Sequence, residues 1–298
     1  AKTTGRRLAL ARWLTGPDHP LTARVLVNRV WKHHFGSGLV TSLANFGKTG
    51  AAPTHPELLD WLATEAVRNH WSLKSLHRLM VTSRTYRQSS LQSSAALASD
   101  PDNRLLSRMP LRRLEAETVW DSLLAVTGKL DDTPFGSPME VDVRGDGLVT
   151  VRRRNGVGRR SVYVLHRRTK LPTILESFDS PQMGPNCVER GESIVAPQAL
   201  HLLNNATVHD LAAQFAERIR REAGEDVDRQ IELAHQLATG TFPQADERLI
   251  ALDILARMTG QWRQSLGDTP DAARQAADKA LKNYCHAILN SAAFVYVD

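Results

Sequence analysis

The chain has 298 residues, 42% hydrophobic, 6% aromatic and 23% charged, the composition of an ordinary globular protein and not of a disordered or fibrous one. No stretch approaches the roughly 18 apolar residues of a membrane span, and two cysteines, Cys187 and Cys285, are too few for a disulfide scaffold or a four-thiolate zinc site. The net charge of +6 hides an asymmetry: residues 210–298 hold 14 acidic and 10 basic side chains, a net of −4, so the first 209 carry +10.

Helix signals dominate. Gly5–Ala11 already reads as helix and not as a signal peptide, so the chain reads as a domain cut from a longer protein. Asp18, Pro20, an apolar stripe through Leu21, Val25, Val30 and Trp31, and Gly36 predict a helix at about 19–35. Thr54-His55-Pro56-Glu57 is a capping box opening a helix over 55–69, and Ser72 caps a second that reaches roughly to Tyr86. The short Asn69-His70-Trp71 connection makes these two neighbours in a helical hairpin. Trp13, Trp31, Trp61 and Trp71 lie in or beside amphipathic helices, where core packing is the expectation.

Residues 88–102 read as a loop, and 111–126 as a helix ended by Gly128. From Lys129 to Gly158, Gly, Pro and Asp punctuate short runs, and 148–151 is expected to pair with the alternating segment 161–165 in a small hairpin. After a loop at 178–194, helices are expected at 197–203, 206–221, 227–237, 244–259 and 270–291, with Gly224, Gly240 and Gly260 as breaks. The fold class is mainly α: two helical blocks, 1–130 and 196–298, bracket a small β-hairpin and loop insert at 131–195, all within one compact domain.

The densest cationic run is Arg152-Arg153-Arg154, Arg159-Arg160, Arg167-Arg168 and Lys170, with no carboxylate between Asp146 and Glu176. It is either an arginine-rich hairpin balanced by solvent and internal ion pairs or a footprint for an acidic polysaccharide or acidic protein partner. Arg152, Arg153, Arg154, Arg160 and Arg167 are its candidate ligand-binding residues. Nucleic acid is the weaker reading, because Tyr163 alone supplies a stacking aromatic. Arg24, Asn28 and Arg29 are polar residues inside an apolar helical run, so they face a buried network or a pocket, with Asp60, Glu115 or Glu117 as partners.

For acid/base chemistry the candidates are Glu115, Glu117, Asp60 and His55. Paired carboxylates can cleave a glycosidic bond when they stand roughly 5–10 Å apart across a cleft. In Arg112, Arg113, Glu115, Glu117 and Asp121, however, the i,i+4 pairs Arg113–Glu117 and Glu117–Asp121 also describe a charged structural face. His55 sits at a helix N-terminus, where the macrodipole disfavours a cation and suits a base, or it fixes the helix entry by a hydrogen bond. His33 and His34 diverge by about 100° on a helix, and His77, seven residues after His70, can share a face with it. No HExxH, Cys/His zinc set, P-loop, GxGxxG or GxSxG is present, and Cys187 lacks a nucleophile's context. No metal site and no cofactor are expected.

A series of motifs in one order carries a family resemblance: Pro20-Leu21-Thr22-Ala23-Arg24-Val25, Asn28-Arg29-Val30-Trp31, Phe35-Gly36-Ser37-Gly38-Leu39-Val40, Pro53-Thr54-His55-Pro56-Glu57, Thr85-Tyr86-Arg87-Gln88, Asp100-Pro101-Asp102-Asn103-Arg104, Arg112-Arg113-Leu114-Glu115-Ala116-Glu117, Arg160-Ser161-Val162-Tyr163, Phe178-Asp179 and Pro197-Gln198-Ala199-Leu200. Together they resemble the planctomycete-type C-terminal domain of unknown function that accompanies planctomycete cytochrome c modules in large secreted proteins. The resemblance implies an extracytoplasmic setting, upstream haem- or carbohydrate-linked modules of the same polypeptide as partners, and haem only in such a module. It supplies no catalytic residues. Where the family has Asp-Phe-Gly, this chain has Asn45-Phe46-Gly47. The expectation is a binding or accessory module, with a hydrolase of glycosidic or ester bonds as the alternative.

Overall fold

A computed structural model describes residues 4–91, 93–181, 184, 187, 189–267 and 269–297. The fold is mainly α, with small sheets, as the helical periodicity implies. The chain forms two compact units, 1–112 and 113–297. Among the described residues no helix is long and apolar enough to cross a membrane.

The first unit contains α1 (Arg6–Leu14), α2 (Thr22–Phe35), α3 (Pro56–Arg68), α4 (Leu73–Val81) and α5 (Ser94–Ser99). Val27, Trp31, Phe35, Leu59, Leu62, Leu76 and Met80 bury one face each of α2, α3 and α4 in a common core. Of the four tryptophans expected in cores, Trp31 is buried, but Trp13 is 62% and Trp61 48% exposed, because the face of each helix carrying them is not covered. Asn28 is fully buried within this apolar set because its amide closes on one backbone unit: Nδ2 donates to Val40 O at 2.8 Å and Oδ1 accepts from Val40 N–H at 2.9 Å. A Cβ at Gly38 would stand 2.5 Å from Val40 O and 2.8 Å from Asn28 Nδ2, so this approach requires glycine.

Several helix ends differ from expectation. The Thr54 capping box does not form: Thr54 gives its N–H to Leu39 O at 2.8 Å, and His55 takes the N-cap position without a side-chain cap. Helix α4, capped by Ser72 as expected, stops at Val81 and not near Tyr86. There the hydroxyls of Thr82 and Ser83 donate to Arg78 O and Met80 O, satisfying the last carbonyls in place of another turn. The loop expected at 88–102 contains α5, whose N-terminus Ser93 caps by accepting from Ala96 N–H.

The two-residue strand β1 (Arg112–Arg113) leads to the second unit. There follow α6 (Ala116–Val126), β2 (Leu130–Asp131), β3 (Val141–Val143), β4 (Val149–Val151), β5 (Gly158–Arg159), a 3-10 turn at Ser161–Tyr163, α7 (Thr173–Ser177), α8 (Ala196–Asn204), α9 (Ala206–Ala223), α10 (Val227–Thr239), α11 (Ala245–Leu266), α12 (Ala272–Leu289), α13 (Ala292–Val295) and β6 (Tyr296–Val297). Helix α6, expected to close the first block, packs instead in the second unit's core, where Trp120, Leu123 and Leu124 meet Phe178, Leu211, Phe215 and Ile219. It also begins at Ala116 and not at 111. Helix α11 runs straight through Gly260, and α7 lies within the stretch read as a β-hairpin and loop insert.

The expected pairing of 148–151 with 161–165 is replaced by a more local one. Strand β4 pairs antiparallel with β3, with Val141 opposite Val151 and Val143 opposite Val149. The Asp146-Gly147 turn closes them, Gly147 at φ +91° and Asp146 Oδ1 accepting from Leu148 N–H. The shorter loop costs less closure entropy than a partner beyond 160. Strand β5 then runs parallel to β2, with Leu130 opposite Gly158 and Asp131 opposite Arg159.

Candidate functional site

The four acid/base candidates divide between the units, His55 and Asp60 on the first and Glu115 and Glu117 on the second. Asp60 Oδ1 accepts from Arg24 Nε at 2.6 Å, the pairing that the sequence offered. The hydrogen bond from Arg24, against an opposing effect of burial and with the Arg24 charge beside it, holds its carboxyl below the usual range. His55 Nδ1 stands 3.0 Å from Thr54 Oγ1. Arg29 lines a shallow apolar depression with Leu21, Thr22, Val25 and Leu26.

On the second unit, burial disfavours the ionised form of Glu117, but hydrogen bonds from Arg190 and its own backbone, together with the Arg190 charge, lower its pKa overall. Arg190 Nη1 lies 2.6 Å from Glu117 and 3.3 Å from Glu115, so one guanidinium holds both. The i,i+4 pair of Arg113 and Glu117 does not form, because Arg113 precedes the helix that starts at Ala116. Arg113 turns instead to Asp179 at 2.7 Å, with its guanidinium 5.4 Å from the Phe178 ring centroid. Asp179, at φ +63°, also accepts from Ser193 N–H and Oγ. Neither Arg190 nor Asp179 was singled out as a partner in the sequence, because each closes a contact more than 60 residues away. Of the Pro185-Asn186-Cys187 segment, Pro185 and Asn186 lie outside the described residues. Cys187 is exposed and Cys285 buried, both as free thiols.

Three cations of the run are balanced by carboxylates outside it. Arg152 Nε donates to Asp142 at 2.9 Å across β3 and β4, Arg153 is bound to Asp210 on α9, and Arg160 to Asp121 on α6. Arg154, Arg167, Arg168 and Lys170 are exposed and have no ion pair among the described residues.

Arg159 organises the loop after β2. Its guanidinium stacks 4.0 Å from the Tyr163 ring centroid and donates to Thr133 O at 2.7 Å, Ser137 O at 2.9 Å and Phe135 O. Tyr163, expected to be a stacking aromatic, is thus occupied within the fold, while its hydroxyl accepts from Phe135 N–H at 3.0 Å. The loop borders a cavity of about 420 Å³ whose lining includes Arg152, Arg154, Arg159, Asp131, Glu140 and Phe135. Asp131 and Phe135 were not among the residues expected to form a site. The apolar Phe135 in the otherwise polar run Asp131-Asp132-Thr133-Pro134 was the one signal for it.

His34 Nε2 and His77 Nδ1 meet at 2.8 Å, and burial, then the charges of His77, Arg112 and His33, lower the His34 pKa. His70 lies outside α4 at φ +52°, so it does not share the face of His77. Among the described residues no group of three or more His, Cys, Asp and Glu converges on one point.

The model of the family described as PSD1, protein of unknown function (DUF1553), matches residues 6–255, and the chain belongs to that family. No curated protein and no solved structure matches it.

Proposed function

We propose that this domain is an extracytoplasmic binding or accessory module of a larger planctomycete-type protein with haem- or carbohydrate-linked modules upstream, and that its basic segment receives an acidic polysaccharide or an acidic protein partner. The observation that carries this reading is a set of exposed cations on one segment, Arg154, Arg167, Arg168 and Lys170, that have no ion pair among the described residues, beside neighbours that are paired. An unbalanced cationic set attracts a polyanion, whereas a neutralised one does not. Two of the four acid/base candidates speak for binding over hydrolysis. Asp60 and Glu117 are held as anions by arginines, whereas a glycosidase needs one carboxyl kept protonated near neutral pH.

The test is retention of the chain on an immobilised uronic-acid polysaccharide and on a neutral one, at rising salt. The expected result is retention on the acidic matrix alone, weakened by salt and abolished when Arg154, Arg167, Arg168 and Lys170 are replaced together by Ala. Equal retention of that variant overturns the reading, as does turnover of chromogenic glycosides or esters that disappears in Glu117→Gln.

A further inference from the structure

Phe135 combines two unfavourable properties. The residue is 81% exposed, and its backbone φ is +64°, a left-handed conformation that bulky L-residues rarely adopt. No burial of the ring compensates for that conformation. A clamp maintains it: the Tyr163 hydroxyl accepts the Phe135 N–H at 3.0 Å, and the Arg159 guanidinium, stacked on Tyr163, takes the carbonyls of Thr133, Phe135 and Ser137. Strain held in place by surrounding structure is characteristic of sites that present a group to a ligand.

The cavity that Phe135 lines, about 420 Å³, lies in the size range of small-molecule sites, roughly 300–1,000 Å³. It offers three chemistries. Phe135 supplies an apolar ring face, Asp131 and Glu140 supply carboxylate acceptors for hydroxyl groups, and Arg154 supplies a guanidinium with no ion pair among the described residues. Hydrogen bonds from Thr133 hold Asp131 ionised against a small effect of burial. A polyphosphate has no hydroxyls to donate to Asp131 and Glu140, and an acidic peptide has few. A neutral sugar would leave Arg154 unused.

We propose that this cavity binds a uronic-acid residue of a glycan, its ring face on Phe135, its hydroxyls donating to Asp131 and Glu140 and its carboxylate taken by Arg154. The proposal rests on the reading of the basic segment as a receiver of acidic polymers and narrows it to one ligand class and one cavity.

Calorimetric titration of the full chain with hexameric galacturonate, a neutral galactose hexamer and hexaglutamate tests it. Galacturonate is expected to bind more tightly than the other two. Phe135→Ala should weaken that binding by about tenfold, Phe135→Trp should retain it, and Arg154→Gln should remove the preference over the neutral hexamer. Phe135→Gly separates binding from folding: glycine relieves the positive φ, so this variant should melt no lower than the parent while binding as weakly as Phe135→Ala. If Phe135→Ala and Phe135→Gly bind galacturonate as the parent does, while replacement of Arg167, Arg168 and Lys170 abolishes binding, the cavity is not the site and the basic segment alone remains. If neither galacturonate nor hexaglutamate binds, both readings fall.

Discussion

Arg113 has only 6% of its side chain exposed, and its Nε and Nη1 are buried with no hydrogen-bond partner among the described residues, so the cation leans on Asp179 and on the ring and carbonyl of Phe178. Asp179→Ala removes the counter-ion from a buried guanidinium and is expected to cost about 3–5 kcal/mol in denaturant unfolding at pH 7. The acid limb of the stability curve has a definite sign. Burial raises the Asp179 carboxyl, but the Ser193 hydrogen bonds and Arg113 outweigh it, and the folded pKa is lowered. Its contribution is therefore fully present above the usual carboxylate value of about 3.9 and is lost as pH falls through the lower folded value. Unfolding free energies at pH 7 and pH 3 should differ less in Asp179→Ala than in the parent, and an equal difference would place the acid sensitivity elsewhere. The Arg24–Asp60 pair, with side chains 35% and 58% exposed, is worth far less. It was visible in the sequence as a polar residue in an apolar run with a carboxylate available, whereas Arg113 was assigned to Glu117 because i,i+4 spacing is a local signal and Asp179 is not.

Among the elements, α11 shows how a local signal is outweighed. Gly260 was expected to end a helix at 259, yet the helix continues to Leu266, and α12 packs along it. A single glycine costs a helix about 1 kcal/mol, less than tertiary packing returns. Because a Cβ at Gly260 would meet nothing within 4 Å, Gly260→Ala should stabilise the protein by about 0.5–1 kcal/mol, read as a higher melting temperature. A lower one would mean that the glycine serves some contact of its own. The β insert failed in the opposite way. Its composition marked it as strand and turn, but alternation along 161–165 could not identify its partner. Val149–Val151 paired with the nearer Val141–Val143, and Ser161–Tyr163 became a turn that sends the Tyr163 hydroxyl to Phe135.

At the scale of the whole chain, two separate apolar clusters define the two units, one around Trp31 and Leu62 and the other around Trp120 and Phe215. Phe215 is completely buried, and Phe215→Ala is expected to cost about 3–5 kcal/mol, read by circular dichroism in denaturant unfolding. A loss under 1 kcal/mol would mean that the site collapses around the smaller side chain. The sequence by itself determined the helical class, the position of most helices and the arginine-rich run, because periodicity, caps and composition act over a few residues. Only the tertiary structure decided which arginines pair with Asp142, Asp210 and Asp121, where α6 packs, and that Phe135 stands on a strained turn beside a cavity. Each of these depends on residues brought together from distant parts of the chain, and burial and pairing are properties of that assembled neighbourhood and not of any one segment.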